Sequence, residues 1–90
     1  MKRRILSQRN DFKWQILTRN GFNEKQIREI EAGIDLNLDV SLYAFTCFDA
    51  DQMYQIRRGL EEGINVFEYL DPSIPFYIMS SIRDILLKAD

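Results

Sequence analysis

The chain reads as an all-α protein: a small helical repeat array of long helix, turn and short helix, with an N-terminal capping helix in front. Three observations carry that reading. The sequence repeats at an offset of 26 residues, the apolar residues of each copy recur at helical spacing, and only two prolines and four glycines interrupt 90 residues. Helices joined by short connections fit such a scarcity of turn formers better than a sandwich or barrel does.

Residues 22–43 fall on 48–69 with identities at Phe22/Phe48, Gln26/Gln52, Ile30/Ile56, Gly33/Gly59, Val40/Val66 and Tyr43/Tyr69. The same offset continues into Met53/Met79, Ile56/Ile82, Arg57/Arg83 and Leu60/Leu86, a partial third copy. One register shared by three copies is the signature of a repeat architecture. The organisation expected is a single domain over 1–90: a basic arm and helix at 1–21, repeat 1 at 22–47, repeat 2 at 48–73, and a partial repeat 3 forming a C-terminal helix at 74–90.

At the start, Phe12, Trp14, Ile16 and Leu17 predict a helix from Asn10 to Arg19, stopped by Asn20-Gly21. In the repeats, Asn23 and Asp49 are good N-caps, and Gln26 and Gln52 stand three residues later, where a capping box needs its reciprocal side chain. Ile27, Ile30 and Ile34, like Met53, Ile56 and Leu60, recur at i, i+3 and i+7 on one helix face. Asn37 and Gly63 share a position and are the residue types that best tolerate the left-handed conformation ending a helix. Asp39 and Asn65 then cap a short second helix carrying Val40 and Tyr43, or Val66 and Tyr69. A strand over 38–48 is the alternative, because Leu38, Val40, Leu42 and Ala44 alternate with polar residues. Gly33 and Gly59 interrupt their helices at a cost of ~1 kcal/mol each relative to alanine. Close approach by the short helix of a neighbouring unit is the expected reason. The third copy has Ile85 there. Pro75 opens the last helix, whose apolar face is Ile78, Met79, Ile82, Ile85 and Leu86.

Hydrophobic content of 46% and charged content of 29% belong to a globular chain, not a disordered one. The single cysteine, Cys47, makes no intramolecular disulfide. Neither a membrane-spanning run nor a signal-peptide core follows the opening charges, so the cytoplasm is the default expectation. The charge is split: residues 1–20 carry a net +5 and residues 21–90 a net −7. A basic arm precedes an acidic body.

The shared pattern is Phe-x3-Gln-(Ile/Met)-x2-Ile-x2-Gly-(Ile/Leu)-x3-(Leu/Ile)-(Asp/Asn)-Val-x2-Tyr. Over residues 22–88 it resembles short tandem repeats of uncharacterised bacterial proteins, often carried on mobile elements. The resemblance implies a helical array and a mobile-element accessory protein, such as a small inhibitor of a host defence enzyme. It brings no catalytic or binding residues with it, and this chain departs from the tidy pattern at Asn37 and along Leu42 to Cys47.

Histidine is absent, which removes the commonest general base, the commonest metal ligand and any His-paired nucleophile. Cys47, among Ala44, Phe45 and Phe48, is expected to be an inert core thiol. Asp49 and Asp51 sit where a helix start favours negative charge, and Glu61 and Glu62 read as a solvated face rather than an acid–base pair. No enzyme, cofactor or metal site is therefore expected. Two binding readings are left. The preferred one is a non-catalytic protein-binding module acting through an acidic helical face, with Glu24, Glu31, Asp35, Asp51, Arg57, Arg58, Glu61 and Glu62 as contact candidates. The alternative is a nucleic-acid-binding accessory protein that uses the arm within residues 2–19, through Lys2, Arg3, Arg4, Arg9, Lys13 and Trp14. A solvated arm paired with the acidic body explains the same residues. A helix–turn–helix reader does not fit, since Leu36 to Phe45 contains no Lys or Arg. Apolar residues at the array ends leave self-association open.

Overall fold

The computed structural model describes residues 15–89. Residues 15–19 are helical and close on a turn in which the Asn20 N–H donates to Leu17 O at 3.1 Å. Then come α1 (Glu24–Asp35), a short 3-10 helix (Val40–Leu42), α2 (Ala50–Glu61), a second short 3-10 helix (Val66–Glu68) and α3 (Phe76–Lys88). The described residues are all helix, turn and loop, with no strand. The predicted start of the N-terminal helix, and the arm's basic residues Lys2, Arg3, Arg4, Arg9 and Lys13, lie outside the described residues.

Each long helix of the two full repeats begins on the reciprocal cap that the spacing predicts. Asn23 Oδ1 accepts from the Gln26 N–H at 2.8 Å, and Gln26 Oε1 accepts from the Asn23 N–H at 2.8 Å. Asp49 and Gln52 make the same pair at 2.7 and 2.9 Å. Phe48 precedes this cap and Met53 lies in the first turn beyond it, and both are buried in one core cluster. That is a hydrophobic staple, which sets the angle at which the chain enters the helix.

Both of these helices end in a Schellman turn. Asn37 (φ 59°) and Gly63 (φ 72°) adopt the left-handed conformation. The N–H one residue further on reaches back to the glycine carbonyl, from Leu38 to Gly33 O at 2.9 Å and from Ile64 to Gly59 O at 3.1 Å. Asp39 and Asn65 then cap the short helices by accepting from Ser41 and Phe67 N–H, both at 3.2 Å. This local capping wins over strand alternation at residues 38–48, and the second helix is a single 3-10 turn.

The glycines do mark a close approach, but by the short helix of their own unit rather than a neighbour's. A Cβ at Gly33 would stand 2.6 Å from Val40 Cγ1 and closer still to Tyr43 Oη; at Gly59 it would meet Val66 Cγ1 and Tyr69 Oη in the same way. Tyr43 Oη donates to Glu29 O and Tyr69 Oη to Gln55 O, both at 2.7 Å. The two tyrosines are fully buried, which satisfies the rule that a buried phenol keeps a partner. Desolvation by that burial raises both phenol pKa values, Tyr69 to about 12.

The core runs through all the units as Ile30, Tyr43, Phe48, Met53, Ile56, Val66, Tyr69 and Met79. Three positions expected on apolar faces are exposed instead: Ile34, at 38%, and Ile78 and Ile85 of α3. Among the described residues, no helix is long and apolar enough to cross a membrane.

Candidate partner-binding surface

The capping glutamines do more than cap. Gln26 Nε2 donates to Phe48 O at 2.7 Å and Thr46 O at 3.4 Å. Gln52 Nε2 donates to Ile74 O at 2.8 Å and Pro72 O at 2.9 Å. Each buried amide thus closes its own helix and fastens the loop leading into the next one. These stapled loops edge an open groove of about 680 Å³ on the side of the helix N-termini, lined by Asn23, Gln26, Thr46, Cys47, Asp49, Gln52 and Ser73 among others. Cys47 is exposed in this groove, not packed in the core, because it lies with the exposed Phe45 and Thr46 on the loop that leads into the Asp49 cap.

A second ladder joins the helices at their middles. Arg57 Nε donates to Glu29 Oε1 at 2.8 Å, and its guanidinium also pairs with Glu61 on its own helix. Arg83, the equivalent residue of α3, donates from Nε to Gln55 Oε1 at 3.0 Å and from Nη1 to Glu62 at 2.7 Å. Arg58 adds a 3.2 Å contact to Glu62. Burial opposes ionisation of Glu62, but the hydrogen bonds and charges of Arg83 and then Arg58 outweigh it and hold the carboxyl below its ordinary range. Arg57 and Arg83 are only 13% and 14% exposed at their side chains. In the first unit the same position holds Glu31, whose enclosed Oε2 has no hydrogen-bond partner among the described residues.

The contact candidates therefore separate. Arg57, Arg58, Glu61 and Glu62 belong to the inter-helix ladder, so Glu61 and Glu62 are not the freely solvated pair their adjacency implied. Glu24 and Asp51 lie outward at the starts of α1 and α2, with Glu24 bonded to Arg28 at 2.7 Å. Asp51 edges a smaller groove with Lys25, Arg28, Glu29 and Tyr54. Asp35 is exposed at the far end of α1, about 16 Å along the helix from Glu24. Of the acidic candidates, Glu24, Asp35 and Asp51 are exposed, whereas Glu61 and Glu62 are taken up by the ladder. Lys2, Arg3, Arg4, Arg9, Lys13 and Trp14 lie outside the described residues.

Sequence reasoning missed the Arg57–Glu29 and Arg83–Gln55 rungs. The signal was present: Glu29/Gln55 and Arg57/Arg83 are each 26 apart, so one rung predicts the other. Among the described residues no cluster of three or more His, Cys, Asp or Glu side chains is placed to hold a metal ion. Comparison with protein-family models, with curated proteins and with solved structures finds no match for this chain.

Proposed function

We propose that this chain is a non-catalytic protein-binding module that docks on a basic partner surface through its outward acidic side chains. One observation carries the reading. Arg28, Arg57, Arg58 and Arg83 are engaged with carboxylates of the chain itself, while Asp35, Asp51 and Glu68 point outward with no ion pair among the described residues. Arg19, Lys25 and Lys88 also have no ion pair among the described residues, but the carboxylates without one outnumber them, so the charge these residues leave for a partner is negative. Such a field steers encounter and selects partners more than it adds raw affinity. The lack of histidine, and the commitment of the groove's Gln26, Gln52 and Asp49 to capping, support a binding role over catalysis. The likeness to mobile-element repeats supports an accessory or inhibitor role.

The test is affinity capture from host lysate with and without nuclease, at two salt concentrations. The proposal expects a defined protein that survives nuclease treatment. Recovery that disappears with nuclease would refute it in favour of nucleic acid held by the arm within residues 2–19.

A further inference from the structure

The inter-helix ladder has a fixed spacing. Arg57 reaches back 28 residues to Glu29, and Arg83 reaches back 28 residues to Gln55. The rungs therefore use two columns of the repeat. An outgoing column, Glu29, Gln55 and Ser81, faces the helix that follows, and an incoming column, Glu31, Arg57 and Arg83, faces the helix before. At the end of the array the ladder stops on Ser81, an uncharged residue whose Oγ donates within α3 to Tyr77 O at 3.2 Å.

At the beginning it does not stop. Glu31 stands in the incoming column of α1, and its enclosed Oε2 has no hydrogen-bond partner among the described residues. A carboxylate oxygen taken out of water is costly unless a donor replaces the water. Arg57 and Arg83 find their partners on the preceding helix, so the donor for Glu31 belongs to the chain ahead of α1. Where that chain is described it keeps the repeat register. Leu17, in the position of Tyr43 and Tyr69, and Phe22, in that of Phe48 and Ile74, are both half-buried against the core.

Twenty-eight residues before Glu31 stands Arg3, which is also 26 before Glu29 and so falls in the outgoing column. The first rung is thus written with its charges exchanged, acid on the incoming side and base on the outgoing side. The 12 residues from Arg3 to Gln15 span up to about 40 Å when extended, ample to bring a guanidinium to α1. A segment with a net charge of +5 over residues 1–20 also suits a carboxylate on an acidic body.

We propose that Arg3 of the same copy is the counter-ion of Glu31, so that the basic arm supplies the first rung of the ladder instead of standing free for nucleic acid. A double-mutant cycle on the full chain tests it, with Arg3→Ala and Glu31→Gln read by urea unfolding. The two are expected to couple by at least about fivefold in the folding equilibrium constant, and Arg4→Ala with Glu31→Gln by less than about twofold. Arg3→Glu/Glu31→Arg writes the rung as Glu29–Arg57 is written, and should be at least about fivefold more stable than either single reversal. Independence of Arg3 and Glu31 overturns the proposal. So does coupling of Glu31 to Arg4 in place of Arg3, or coupling that grows with protein concentration and so comes from the arm of another copy.

Discussion

Replacing Gly59 by alanine sets two physical effects against each other, and the structure decides the sign. Helix propensity alone favours the alanine by ~1 kcal/mol, because glycine has more backbone freedom to lose on folding. The new methyl would meet Val66 Cγ1 at 2.6 Å and Tyr69 Oη closer still, and neither has room to retreat from the core. Overpacking of this kind costs ~3 kcal/mol at the upper end of its usual range. Displacing Oη also breaks its 2.7 Å bond to Gln55 O, worth ~1 kcal/mol. The net expectation is a loss of ~3 kcal/mol, a large share of the stability of a 90-residue domain. Tyr69→Phe alone should cost ~1.5 kcal/mol, through the lost hydrogen bond and a buried carbonyl left without its donor. In the double variant the hydroxyl that clashes with the methyl is already gone, so the total should be ~3 rather than ~4.5 kcal/mol. Urea unfolding followed by circular dichroism measures all four corners of the cycle. A Gly59→Ala protein as stable as the wild type, or strictly additive changes, would refute the glycine-notch account.

Gln52→Ala removes one acceptor and two donors at once, leaving Asp49 N–H, Pro72 O and Ile74 O without their partner. A cost of ~3 kcal/mol is expected, with hydrogen-exchange protection lost in α3 more than in α1. Alkaline pH gives a second check. Folding raises the Tyr69 pKa from 10.0 to about 12, so the neutral phenol is the form that the fold favours. Its stabilising contribution is complete below about pH 10 and is lost as the pH rises towards 12. Tyr43 shifts in the same direction, so stability measured by urea titration should fall over that window, and less steeply in Tyr69→Phe. Cys47, exposed in the loop groove, should react with a thiol reagent in the native protein at a rate within about tenfold of the unfolded chain. Strong protection would put it back in the core.

What the sequence disclosed was what short spacing governs. Asn23/Gln26 and Asp49/Gln52 specify reciprocal caps within four residues, and Asn37 and Gly63 specify left-handed helix ends, each from the chemistry of a single position. The partner of the glycine notch was harder. Whether Tyr43 folds back on Gly33 or reaches a neighbour depends on the turn at Asn37, and no periodicity reports that. Cys47 was misplaced because three apolar neighbours imply a core, whereas a loop between two caps turns successive side chains in different directions. The charged residues were the least legible. Arg57 and Glu61 look like a surface pair four residues apart on one helix. Only the packing of α2 on α1 brings Glu29 to Arg57 and converts the pair into an inter-helix tie.

The proposed function stands or falls on the outward acids. Its most direct test is affinity capture, after nuclease treatment, with the wild type and with Asp35→Asn/Asp51→Asn/Glu68→Gln as parallel baits. None of the three anchors a cap or the ladder, so the variant should fold with wild-type helicity. The account predicts a discrete protein partner on the wild-type bait, recovered at least about tenfold less on the neutralised one. Equal recovery on both baits, or no nuclease-resistant partner on either, would contradict it.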